Sequence, residues 1–177
     1  MIYVPQQPQV IYAPGQTPDS SQGQAGQAPQ ASVPPVVGSA PDATLPSGAA
    51  QAIDDIQQAW IVGDDSLLQQ HVDPAVHIRV YREGVFDRLL SASDYVSSCR
   101  QGFDNLMTQS FVLSQRVVLP DGRVRAAGRQ VYFDNNNVRQ VGYACYWLEQ
   151  LNGKWVIDAV NGASDPDHLV IDPEPAK

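Results

Sequence analysis

Apolar residues recur at Ala49, Ala52, Ile53, Ile56, Ala59 and Trp60, the i, i+3, i+4, i+7 spacing of one helix face. Ser47 stands where an N-cap is expected, Asp54 and Asp55 sit early where the helix dipole favours anions, and Gly63 should end the helix. Asp64-Asp65-Ser66 opens a shorter helix carrying Leu67, Leu68 and Val72, which should end before Pro74. The period then changes to two: Val76, Ile78 and Val80 alternate with His77, Arg79 and Tyr81, so 76–81 reads as a strand. Glu83-Gly84 turns it and 85–89 returns. Ser91-Ala-Ser-Asp94 has capping-box spacing, in which Ser91 and Asp94 satisfy each other's free amides, and opens a third helix. Its buried stripe is Ala92, Tyr95, Val96, Cys99 and Phe103, with Gly102 and Asn105 at its fraying end.

Four strands follow, at 110–119, 123–133, 138–151 and 154–160. Pro120-Asp121-Gly122, the run Asp134 to Asn137, and Asn152-Gly153 supply the turns. A two-residue turn at Asn152-Gly153 sets Leu148 opposite Ile157, Trp147 opposite Asp158 and Tyr146 opposite Ala159. One face of this hairpin then carries Gly142, Ala144, Tyr146, Leu148, Ile157 and Ala159. The other carries Val141, Tyr143, Cys145, Trp147, Val156, Asp158 and Val160. Both are apolar, so one should lie under the helices and the other against a ligand or partner. The fold class this predicts is α+β: three N-terminal helices packed in a strongly curved antiparallel sheet of about six strands, a cone with a cavity between sheet and first helix. Antiparallel neighbours for the terminal strands are the premise of that reading.

Composition divides the chain. Nine of its 14 prolines precede Ala49, among many Gln, Gly, Ala and Ser, so 1–48 reads as a disordered tail unable to bury enough apolar surface to fold. Within it Ile2-Tyr3-Val4-Pro5 is echoed by Ile11-Tyr12-Ala13-Pro14, either low-complexity drift or a pair of extended docking motifs. The folded domain is expected over 49–163, and 164–177 as a flexible, proline-studded tail. No Lys or Arg precedes Arg79, whereas seven aspartates do, and the net charge is −8. That balance argues against nucleic acid and against an anionic membrane surface as partners. No apolar run approaches the roughly 20 residues of a membrane helix, and no signal-peptide pattern opens the sequence, which fits a cytoplasmic protein or an exported fragment of a longer chain. Cys99 and Cys145 sit among apolar neighbours and read as buried free thiols.

The helix ending near Trp60, the Val72-Asp73-Pro74 step into the first strand and Ser91-Ala-Ser-Asp94-Tyr95 resemble the nuclear transport factor 2-like (SnoaL-like) superfamily. So does the closing Tyr143-Ala-Cys-Tyr146-Trp147 with Asn152-Gly153-Lys154-Trp155-Val156-Ile157. The likeness covers about 49–163 and its motifs are structural. It implies a cone fold used both by cofactor-free enzymes, with an Asp or His base and a Tyr donor in the cone, and by binding modules with no chemistry.

The residues name the candidates for either use. For an isomerase or dehydratase they are Asp158 or His77 as base, with Tyr143 or Tyr146 as donor. The plainer reading of His77 is an exposed strand residue, and that of Asp158 a surface carboxylate paired with an arginine. Arg79, Arg116, Arg125 and Arg129 alternate onto strand faces and read as a solvated surface or the lining of an anion pocket. For a binding pocket the candidates are Trp60, Tyr95, Phe103, Tyr143, Tyr146, Trp147 and Trp155, with core filling as the plain alternative. His71, His77 and His168 are too scattered for a metal site, and no cofactor is expected. The expected function is a non-catalytic module binding a small apolar molecule or peptide segment, homodimeric through the open sheet face.

Overall fold

A computed structural model of the protein describes residues 45–170, which fall within one compact unit. The expected tail up to residue 44, both Ile-Tyr-X-Pro motifs and residues 171–177 lie outside the described residues. Three helices, α1 (Ser47–Val62), α2 (Asp65–Gln69) and α3 (Ala92–Asn105), pack in a curled sheet of six strands: β1 (Ile78–Arg82), β2 (Val85–Leu90), β3 (Met107–Val118), β4 (Val124–Phe133), β5 (Arg139–Leu151) and β6 (Lys154–Ala163). The strand order is β2-β1-β6-β5-β4-β3, so the sheet stays open, with β2 and β3 at its edges.

The premise of antiparallel neighbours needs correction at one joint. β6 pairs antiparallel with β5 but parallel with β1, Arg79 lying beside Ala159 and Tyr81 beside Asn161. The chain between them, through β2, α3 and three long strands, is the crossover that a parallel joint requires. The α+β cone survives because every other joint is antiparallel.

Helix α1 buries Ala49, Ala52, Ile53, Ile56 and Ala59 in the concave face. It starts on Pro46 rather than Ser47: no side chain caps it, and the Pro46 carbonyl accepts from the Ala49 and Ala50 amides at 2.8 and 3.1 Å. Asp54 and Asp55 lie beyond the first turn, where their carboxylates meet the Arg116 guanidinium and the His71 ring Nε2, each at 2.8 Å. The His71 ring also meets the Trp155 carbonyl through Nδ1 at 3.1 Å, tying α1 to β6. Gly63 ends α1 at φ 72°. In α3, the Asp94 amide donates to the Ser91 hydroxyl at 3.1 Å, but the Asp94 carboxylate accepts from that hydroxyl (2.6 Å) rather than from the Ser91 amide, so half of the expected capping box forms.

Two of the sheet's four register shifts bear on how it meets the first helix and which residues share a face. In β6 the pairing passes from Leu148↔Ile157 to Trp147↔Ala159, leaving Asp158 without a partner. One extra residue reverses the alternation. Val160, expected outside, therefore sits beside Tyr146 on the concave face, and Ala159, expected inside, sits beside Trp147 on the convex face. In β3 two residues, Leu113 and Ser114, stand opposite Gly128. The freed Leu113 amide donates to the Gln57 side chain of α1 at 2.6 Å, and its carbonyl accepts from Arg116 at 2.9 Å. A Cβ on Gly128 would lie 1.8 Å from the Val112 carbonyl oxygen, which is why that position is glycine.

Part of the convex face over β5 and β6, the face expected to meet a ligand or partner, is covered by the chain itself. Ala127, Cys145, Trp147, Ala159 and Leu169 form a second buried cluster. Leu169 follows a 3-10 turn, Pro166–His168, and the Asn161 side-chain amide donates to the His168 and Leu169 carbonyls at 2.8 Å each. Residues 164–170, assigned from sequence to a flexible tail, thus form a strap anchored at Leu169, the other six residues being exposed. No helix among the described residues is long and apolar enough to cross a membrane.

Candidate functional site

Concave-face residues converge at the carboxyl end of α1. The Trp60 indole N–H donates to the Tyr146 hydroxyl at 2.9 Å, and the Trp60 ring stands edge-on to Phe103 at 4.9 Å and 85°. Phe111 closes the group, 6.4 Å from both Trp60 and Tyr146. Gly102 of α3 permits this arrangement: a Cβ there would sit 3.1 Å from the Trp60 ring, so its role is close approach rather than helix fraying. Deeper in, the Tyr95 hydroxyl lies beside Tyr146 and Cys99, with no partner in hydrogen-bonding geometry. Burial pushes the Tyr95 and Tyr146 phenols up and the Cys99 thiol up to about 12. All three stay protonated at neutral pH, so they can donate a hydrogen bond but cannot take a proton.

The wide end of the cone opens as a cleft of about 470 Å³. Trp60 and Phe103 form its apolar floor, and Asp104, Asn105, Asp134 and Asn137 stand on its rim. The β4–β5 loop is built around Asp134, whose carboxylate accepts from the Asn136 and Val138 amides at 2.9 Å each and from the Gln140 side chain at 3.1 Å. These bonds hold the carboxyl below the usual aspartate range, so the rim carries a fixed negative charge. Asn135 donates to Asn105 at 3.2 Å, joining this loop to the end of α3. A second cleft, of about 400 Å³, lies between α2 and α3 over Val72, Pro74, Ala92 and Val96, and has no aromatic floor.

The candidates from sequence separate into distinct places. Trp60 and Phe103 line the mouth cleft, Tyr146 supports Trp60 from behind, and Tyr95 is packed beneath. Trp155 lies on the concave face against Gly48, about 18 Å along α1 from Trp60 at the usual helix rise. Trp147 and Tyr143 are on the convex face. So is Asp158, held by the Arg79 guanidinium and by Arg123 at 3.2 Å. Asp158 and Tyr146 therefore lie on opposite sides of the sheet. Tyr143 shares a face with Asp158 but sits four residues along β5 from Trp147, about 13 Å away at strand spacing. His77 precedes β1 and is exposed, outside the sheet that was expected to hold it. The rim residues were missed because they come from the ends of α3 and the β4–β5 loop, where no periodicity marks them. The Asn-rich turn at 134–137 was the one local signal.

No protein-family model and no curated protein sequence matches the chain. Solved structures do match in fold. A DUF4783 family protein from Bacteroides uniformis aligns at TM-score 0.52 and 11% identity, over 62% of this chain and 94% of its own. A nuclear transport factor 2-like protein of unknown function from Shewanella oneidensis aligns at 0.50 and 14%, over 66% and 96%. A conserved protein from Planctomyces limnophilus aligns at 0.50 and 10%, over 66% and 92%. The domain has the nuclear transport factor 2-like cone fold.

Proposed function

We propose that this nuclear transport factor 2-like cone domain is a non-catalytic module that binds a small, apolar-bodied ligand in the cleft at its mouth. The observation that carries the reading is the cleft: about 470 Å³, lined by Trp60 and Phe103, by the exposed apolar side chains of Ile61, Val62 and Met107, and by the carboxylates and amides of Asp104, Asn105, Asp134 and Asn137, with no Lys or Arg among its lining residues. A cavity of this size and lining suits a molecule that stacks its body on the rings and turns a polar end outward. The charge of Asp104 and Asp134 favours a cationic end, and the faces of Trp60 and Phe103 reinforce that preference. The isomerase or dehydratase alternative draws no support from this arrangement, because the buried phenols have no carboxylate or imidazole beside them among the described residues.

Tryptophan emission tests the reading, since Trp60 lies in the cleft while Trp147 and Trp155 are buried elsewhere. Titration with dansylcadaverine, an aromatic amine, should give a saturable change, stronger than titration with the anionic anilinonaphthalene sulfonate. Phe103→Ala should weaken it and Trp60→Phe should remove it. A change that survives both substitutions, or no saturable change with either dye, would overturn the assignment of the cleft.

A further inference from the structure

Strand β2 carries the least covered apolar side chains of any strand. Val85, Phe86 and Leu89 are 69%, 53% and 56% exposed, three of the ten large exposed hydrophobics among the described residues. β2 is an edge strand, with β1 on one side and no strand on the other among the described residues. An edge of this kind presents unpaired amides and carbonyls as a template for another strand. Phe86 stands edge-on to Tyr81 at 5.7 Å, and Leu89 pairs with Arg79, so both project from the convex face. Between them the register passes from Tyr81↔Phe86 to Val80↔Arg88, leaving Asp87 as the extra residue of a bulge. Its carboxylate lies 3.8 Å from Arg82 and 3.5 Å from Arg88, too long for strong hydrogen bonds.

We infer that β2 is a self-recognition edge, on which a second copy of this chain pairs antiparallel about a two-fold axis between Asp87 and Arg88. The run Val85-Phe86-Asp87-Arg88-Leu89-Leu90 is complementary to its own reverse. In that register Val85 meets the partner's Leu90, Phe86 meets the partner's Leu89 and Asp87 meets the partner's Arg88, each contact occurring twice. Phe86 and Leu89 share the convex face within one copy, as cross-strand partners must. Charge also fixes the register. A slip of one residue sets Arg88 against the partner's Arg88, or Asp87 against the partner's Asp87, and like charges directly opposite one another are destabilising. The two-fold axis makes the contact isologous and closed, so it ends at a dimer. A heterologous peptide would gain the backbone bonds but has no reason to match this charge order. An interface of one strand pair is small, which points to a dimer that dissociates in the micromolar range rather than an obligate one.

Sedimentation of the full 177-residue protein over roughly 10 to 500 μM should show a monomer–dimer equilibrium. Asp87→Arg and Arg88→Asp should each weaken it by about tenfold or more, because two attractive pairs become repulsive. The double swap Asp87→Arg/Arg88→Asp should restore it. The two single variants mixed together should also associate, since an edge with two adjacent arginines then faces an edge with two adjacent aspartates. Circular dichroism of each variant separates loss of pairing from loss of fold. A protein that stays monomeric throughout the range would overturn the inference. So would a dimer indifferent to these charges, which would place the second copy on the sheet face instead.

Discussion

Two guanidinium groups hold the Asp158 carboxylate at 1% exposure, and that burial sets what its removal should do. Deleting one member of a buried ion group leaves the others uncompensated, at a cost of about 3–5 kcal/mol. Asp158→Ala should therefore lower unfolding free energy by that order while leaving dye binding at the mouth cleft unchanged, because the two sites are on opposite faces of the sheet. Loss of binding at full stability would instead return Asp158 to a functional site. Glu149 lies close enough to feel the same charges. Burial raises its pKa above the ordinary 4.5, Asp158 adds to the rise, and Arg79 and Arg123 offset part of it. A carboxyl raised by folding binds its proton more tightly in the native state, so its contribution is favourable at low pH and is lost as pH rises through the raised value. Glu149→Gln should then raise the melting temperature at about pH 7, and the gain should shrink as pH falls toward 4.5. A destabilised variant at neutral pH would show that the arginines outweigh burial.

At the scale of elements, the β3 bulge is where sheet and first helix depend on each other. Gln57 satisfies the amide that the bulge frees, and Gly128 leaves room for the Val112 carbonyl. Gln57→Leu leaves a part-buried donor without its acceptor, a loss of about 1–3 kcal/mol. Gly128→Ala should cost at least as much, since backbone rather than a movable side chain blocks the new methyl. Chemical denaturation of both variants checks the pair, and near-wild-type midpoints would mean the bulge slips instead of holding. Bulges are also what sequence alternation cannot see. The helical stripe from Ala49 to Ala59 was legible because five buried positions repeat with one period. The Asn152-Gly153 turn was legible because both residues adopt positive φ, 51° and 81°. Past Ile157 the alternation inverts at a residue with no sequence signature, and Ala159 and Val160 exchange faces. The same limit governs the cleft. Trp60 and Phe103 belong to periodic helices and could be named, whereas Asp104 and Asn105 at the end of α3 meet Asn137 of the β4–β5 loop only through the folded path of the chain.

At the scale of the whole molecule, the question is what covers a sheet that is apolar on both faces. The helices cover the concave face, and the strap ending at Leu169 covers part of the convex face over β5 and β6. Leu169 is 5% exposed against Cys145, Trp147 and Ala159, and Asn161 holds the strap backbone through two bonds of 2.8 Å. The strap evaded sequence reading because a single buried leucine among prolines and aspartates has no period to betray it. Its removal has a chemical readout. Burial pushes the Cys145 thiol up to about 12, with Arg125 pulling the other way, so the native thiol is nearly inert at neutral pH. Leu169→Asp places a carboxylate where an apolar side chain packed and should lift the strap. Cys145 would then be exposed and its reaction with a disulfide reagent should quicken by about tenfold or more, as thiolate fraction and access rise together. Cys99, on the buried side of α3 against the other face, should keep its native rate and so serves as the internal control. Acceleration of both thiols would signal general loosening of the fold, and acceleration of neither would mean that the face stays covered without Leu169.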